Sequence, residues 1–289
     1  MIMFESIKVG WKLAKTSLAM LMEDKKLLLF PFLSAIFSIL LLIGFIVPFA
    51  ITGVFSNVSG LEQIWAVTGI IVLFAYYLIT SFFAIFFNVA LVHSIKEIIE
   101  GEGEGIGSLI RFAFSRSRTI LSWALLSAIV GMILKTIEDT ARNVKGVGGL
   151  VLMIIKGVIG FTWVLLTYFV VPVIVYQNLG VVDTIKKSGS ILKQKWGEAL
   201  FAGFSTGIMT ILMIVAWVIV GIILIMVSMV VNPILGIIMA GIVFFGFLII
   251  LLISSAMGMV TRTLLFLYAE KGVLPPGLEE HEAEMLFRK

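Results

Sequence analysis

The sequence predicts an all-α polytopic membrane helical bundle: six transmembrane helices arranged as three hairpins, each preceded by a cytoplasmic interfacial amphipathic helix. Three observations predict it. Of 289 residues, 61% are hydrophobic and only 13% are charged, too little polar surface to cover a water-soluble globule. The apolar residues fall into runs long enough to cross a bilayer, which takes about 20 residues at about 1.5 Å each. The basic residues flank those runs instead of forming one patch, which points to a membrane surface as partner and away from nucleic acid.

The whole chain reads as one integral membrane domain, residues 1–289. Residues 1–26 form the first amphipathic helix. There Phe4, Ile7, Trp11, Ala14, Leu18 and Leu21 recur at spacings of three and four, while Glu5, Lys8, Lys12 and Lys15 take other faces. An apolar core followed by a small-residue cleavage site is missing from this stretch, so it is not expected to be a secretory signal peptide. Residues 27–93 form hairpin 1, with apolar runs from Leu27 to Ile51 and from Trp65 to Val92.

Residues 94–118 form a cytoplasmic connection in which GEGEGIGS, from Gly101, separates IKEIIE from LIRFAFSRSR. Its closely spaced glycines predict a flexible linker. A phosphate-cradling loop is excluded because the Walker lysine and Ser/Thr are missing and Glu102 and Glu104 would repel phosphate. Hairpin 2, residues 119–177, has runs from Thr119 to Leu134 and from Val147 to Tyr176. The first of these reaches only about 24 Å, so Arg118 and Lys135 are expected to snorkel.

Residues 178–198 form another amphipathic helix. Val182, Ile185, Gly189, Leu192 and Trp196 lie opposite Asp183, Lys186, Lys187, Ser190 and Lys193, a pattern suited to the headgroup layer. Hairpin 3, residues 199–268, contains an uncharged run from Ala199 to Thr261, too long for one helix. Asn232-Pro233 divides it, since that dipeptide favours a turn and stops a helix. Residues 269–289 complete the chain as a charged cytoplasmic tail. The segments KKLLLFPFLSAI, RTILSWALLSAI and GEALFAGFSTGI open the three hairpins and look alike, which suggests a repeated unit.

Charge placement sets the orientation. The N-terminal segment holds 5 Lys and Arg, and residues 94–118, 178–198 and the chain from Arg262 onward hold 4 each. The opposite loops hold 3, all between Lys135 and Lys145, so both termini are expected in the cytoplasm and the protein in the cell membrane.

Candidate functional groups are few. Lys156 is the charged residue inside an apolar run, and intramembrane ionisable groups are functional suspects. Because Gly157 to Tyr176 suffices to cross the membrane, Lys156 reads first as an outer-interface anchor, with Glu138 or Asp139 as counter-ion if it is buried. Lys135 with Asp139 and Glu138 with Arg142 have i,i+4 spacing, which predicts that the third helix continues beyond the membrane. On the cytoplasmic side, Asp183, Lys186, Lys187 and Trp196 are the groups nearest a plausible headgroup site. No cysteine is present, and the two histidines, His93 and His281, lie far apart, so no metal ligand set, cofactor site or catalytic residue is assigned.

The stretch FVVPVIVYQNLGVVDTIKKSGSILKQKWGEALFAGF, from Phe169 to Phe204, resembles a family of prokaryotic integral membrane proteins classed as a domain of unknown function. Matching stretches begin at Asp24, Ile120 and Arg262, so the resemblance spans nearly the whole chain. A looser similarity of hairpin plan, and of the segment from Pro172 through Trp196, extends to membrane domains found beside glycerophosphodiester phosphodiesterases. Tyr176-Gln177 departs from the pattern, where relatives tend to have an acidic residue. The resemblance implies fold and location, and no activity.

The function expected is therefore a non-enzymatic, lipid-embedded scaffold or accessory subunit. A transporter or channel is the alternative, with Lys156, Asn88, Tyr76, Tyr77, Thr167 and Tyr168 as lining groups. An enzyme acting on lipid headgroups ranks third. Membrane lipids are the expected partners. Small residues one turn apart, as in Gly203 to Gly207, Gly236 to Ala240 and Ser254 to Gly258, leave a homo-oligomer or another membrane protein as further partners.

Overall fold

A computed structural model describes residues 2–55, 62–194 and 196–274. The described chain is helical: α1 (Ile2–Glu23), α2 (Lys26–Phe55), α3 (Glu62–Glu100), α4 (Ile106–Ser115), α5 (Ser117–Asn143), α6 (Val147–Leu166), α7 (Val170–Gln177), α8 (Val181–Gln194), α9 (Trp196–Val231) and α10 (Pro233–Lys271). Six helical stretches are long and apolar enough to cross a membrane, among them Lys26–Phe45, Val67–Glu100 and Ser117–Asn143. Helix is the form such segments must take in lipid, because it pairs every backbone polar group within the segment.

By its internal contacts the chain divides into two compact units. One comprises residues 1–31 with 193–289, the other residues 32–192, and α2 starts in the first and continues into the second.

In the first unit, α1 packs on α9 and α10, which pack on each other. Leu13, Ala14, Ser17 and Leu21 form its buried stripe, at the three-and-four spacing that a single helix face requires. Helices α9 and α10 run antiparallel: Met229 faces Gly236, Gly221 faces Val243, Trp217 faces Gly246 and Thr206 meets Thr261. These approaches need glycine. A methyl group at Gly246 would run into the six-membered ring of Trp217, whose indole N–H also donates to the Val243 carbonyl at 2.8 Å. Gly236 meets its partner helix, while Gly207 and Gly258 have no atom of this chain's neighbouring helices within 4 Å of the space a side chain would take. Thr261 sits at the centre of a buried hydroxyl chain, 2.9 Å from Ser17 and 3.3 Å from Thr206.

The turn between α9 and α10 falls at Asn232-Pro233. Asn232 is extended and its side chain accepts from the Ile234 N–H at 2.8 Å, while Pro233 fills the first helical position, where its missing N–H costs nothing.

In the second unit, α2 meets α3 through an aromatic ladder. Phe37 stacks on Phe83 at 4.6 Å, and Phe45 meets Tyr76 edge-on at 5.8 Å, so the two helices are antiparallel. Helix α3 packs on α5, with the Tyr77 ring within van der Waals reach of a Cβ built on Gly131. Helices α5 and α6 are antiparallel as well: Gly149 abuts the Ala141 and Val144 carbonyls, and Gly160 lies near Leu134. Helix α5 runs to Asn143, well past the end of its apolar run, in keeping with the i,i+4 charge pairs.

The fourth apolar run is not one continuous helix. It breaks at residues 167–169 and restarts as α7. Pro172 explains the restart, since its ring would clash with the carbonyl four residues back in an unbroken helix but is tolerated in a first turn. The Phe169 N–H, released by the break, donates to the buried Ser188 Oγ at 3.0 Å, which ties the restart to α8.

Candidate functional site

Among the described residues three clusters of charged side chains stand out, two anticipated from the sequence and one missed. The first lies between α5 and α6. Lys156, at the middle of α6, donates from Nζ to Glu138 Oε2 at 2.5 Å, and Arg142 Nη2 donates to the other Glu138 oxygen at 2.5 Å. One carboxylate thus bridges two cations. Asp139 pairs one turn away with Lys135, and so is not the Lys156 partner in this arrangement. The Lys156 and Glu138 side chains are 32% and 21% exposed, which makes this a partly hydrated pair.

The second place is α8. Asp183 and Lys186 lie 4.0 Å apart and are both well exposed. Lys187, one residue on, is half-buried and accepts a Ser190 hydroxyl at its carbonyl. Trp196 opens α9, and its side chain lies outside the described residues. The buried stripe of α8 is Thr184, Ser188 and Ile191, with Leu192 beside it, whereas Val182 is exposed. The inward face is therefore rotated from the one that hydrophobic spacing picks out. Packing decides it through hydroxyls: Thr184 Oγ1 donates to the Leu179 carbonyl at 3.2 Å, and Ser188 accepts from Phe169.

The third place is the C-terminal end of α3. His93 and Glu97 share one face, four residues apart, and both are buried. Their side chains are 8% and 5% exposed. Helix α3 ends at Gly101, whose positive φ of 76° reverses the chain. The Glu102 N–H donates to the Glu97 carbonyl at 2.9 Å, and the following linker carries Glu104 back to His93, with Glu104 Oε2 3.9 Å from His93 Nε2. The imidazole stacks on Phe112 of α4 at 3.7 Å with rings 17° from parallel, and the Arg116 guanidinium covers the same phenyl ring. Burial draws the Arg116 pKa below its ordinary value while leaving it cationic. Lys96 reaches Glu100 at 3.0 Å.

The sequence hid this third cluster because a search for paired histidines passes over one histidine with carboxylates. The available signal was His93 and Glu97 at i,i+4, followed by acidic residues between glycines.

Six helical stretches of membrane-spanning length, packed antiparallel in pairs, define a multi-pass helical membrane protein. Residues 67–275 match the family of unknown function DUF6159, and the chain belongs to that family. No curated protein matches it.

Proposed function

We propose that this protein is a non-enzymatic, lipid-embedded scaffold or accessory subunit of the cell membrane, built of three hairpins with cytoplasmic interfacial helices and with both termini in the cytoplasm. The observation that carries this reading is the placement of four groups that a transport path would need, Lys156, Thr167, Tyr76 and Tyr77. Lys156 is held by Glu138, and the Thr167 hydroxyl donates to the Trp163 carbonyl at 2.7 Å. The Tyr76 ring sits beside Phe45 and Tyr77, and Tyr77 lies on Gly131. A water-filled transport path needs such groups turned toward a common cavity.

Length supports an interfacial place for Lys156. The stretch Val147–Gln177 covers 31 residues. With the break at residues 167–169 included, the roughly 20 residues that follow Lys156 are enough to cross about 30 Å of hydrocarbon, which leaves Lys156 at its outer edge.

The clefts support lipid as partner. One, of about 490 Å³, is lined by Leu78, Ile79, Phe82, Phe83 and Leu121, with Arg118 among its walls. Apolar walls beside a guanidinium suit an acyl chain with an anionic headgroup.

The absence of cysteine makes the test direct. Single cysteines at Tyr76, Thr167 and Ser190 are probed with a membrane-impermeant maleimide. Ser190→Cys is expected to label from the cytoplasmic side, and Tyr76→Cys and Thr167→Cys to resist labelling from either side. Aqueous labelling of either inner position, together with solute flux in reconstituted vesicles, would replace the scaffold with a transporter.

A further inference from the structure

The geometry points to a divalent transition-metal site at the cytoplasmic end of α3, in which His93, Glu97 and Glu104 bind the ion and clip the glycine-rich linker to the helix. One ligand atom from each residue lies within 4.8 Å of the other two. Donors around a zinc- or manganese-sized ion, at about 2.1 Å each, stand about 3.0–3.4 Å apart. Closing that gap takes a movement of up to about 1.8 Å, and Glu104, which now lies 3.9 Å from Nε2, can swing toward Glu97 because Gly103 and Gly105 flank it and a side chain at either would meet nothing.

A second observation is independent of the acidic cluster. His93 Nδ1 and Glu97 Oε2 are both buried without a hydrogen-bond partner. Buried polar atoms are ordinarily satisfied, and a group that can coordinate leaves a lone pair unused here at a cost. The His93 ring is fixed by its stack on Phe112, and Glu97 by its place one turn along the same helix. Two donors are thus pre-positioned and the third is carried on a hinge.

Charge points the same way. Glu97 has both Glu102 and Glu104 as neighbours, and Lys96, 3.8 Å from Glu97 and 3.0 Å from Glu100, offsets only part of that negative charge. A divalent cation would neutralise the excess. One imidazole with carboxylates suits Mn²⁺, Fe²⁺ or Zn²⁺, whereas Cu⁺ prefers sulfur and Ca²⁺ a shell made of oxygen alone.

This inference is independent of the scaffold reading. Its test uses Mn²⁺ alone on the detergent-purified full chain, followed by electron paramagnetic resonance. Expected are one bound Mn²⁺ per chain with nitrogen coupling from a single imidazole, displacement by Zn²⁺, and slower proteolysis between Glu100 and Ile106 when metal is present. Glu104→Gln lies on an exposed linker and leaves the helices intact. It is expected to weaken binding by more than about tenfold, as is His93→Gln, while Asp183→Asn changes nothing. No binding up to about 1 mM, binding without nitrogen coupling, or equal affinity in Glu104→Gln and the unmodified chain would overturn the proposal. Should His93→Gln misfold, Glu104→Gln and the nitrogen coupling decide the matter by themselves.

Discussion

Gly246→Ala isolates the α9–α10 contact. The added methyl would occupy space now held by the Trp217 ring, and that ring is not free to leave, because its N–H is bonded to the Val243 carbonyl. Forcing an extra methyl into a filled contact costs about 1–3 kcal/mol. Replacing glycine by alanine in a helix interior returns about 1 kcal/mol through propensity, so the net loss for Gly246→Ala is about 0–2 kcal/mol. Gly241, five residues earlier on α10, gives the comparison, since a methyl there meets nothing within 4 Å. Gly241→Ala keeps the propensity gain without the clash. The difference between the two variants is then the clash itself, about 1–3 kcal/mol, or roughly a 5- to 150-fold change in the folded-to-unfolded ratio. Reversible unfolding in mixed micelles, followed by helical circular dichroism, measures it. Shortening the obstacle with Trp217→Leu in the Gly246→Ala background is expected to recover part of the loss. Equal stabilities for Gly246→Ala and Gly241→Ala would refute the notch.

Three more expectations concern other contacts. Thr261→Val removes the hydroxyl shared by Ser17 and Thr206, and a loss of about 0.6–2 kcal/mol is expected in the same unfolding assay; no change would mean the chain of hydroxyls contributes nothing. Lys156→Met and Glu138→Gln are each expected to lower stability, with the double variant no worse than either single one. Strictly additive losses would show that the two side chains act separately. Epitope tags at Gly60 and Ser190 should report opposite sides of the membrane, since the six-span orientation cannot survive finding both on one side; Gly60 itself lies outside the described residues.

Features set by local chemistry were legible in the sequence. Asn232-Pro233 announced the α9–α10 turn because a capping side chain and a first-turn proline act within two residues of each other. The charge pairs after Leu134 announced the long α5 for the same reason, since i,i+4 spacing is a property of one helix. What required distant partners stayed hidden. Proline chemistry at Pro172 accounts for a bend, but a complete restart at Val170 depends on Ser188, nineteen residues from Phe169, accepting the Phe169 N–H. The inward face of α8 turned on buried Thr184 and Ser188, which apolar periodicity discounts as polar. Gly221 and Gly246 belong to no short small-residue motif, because each matches a bulky residue on the other helix. His93 and Glu104 meet only because Gly101 turns the chain back, and a positive φ is not written in spacing.

The notch beneath Trp217 also limits how this protein can move. Sliding α9 past α10 by one turn would set the indole against Ile242 or Ile250 in place of Gly246, and neither leaves room for it. The indole tether to Val243 would break in the same step. With both ends of the travel blocked, the helix pair behaves as a strut that can tilt as one piece but cannot telescope. Any displacement along the axis of α9 would therefore carry α10 with it.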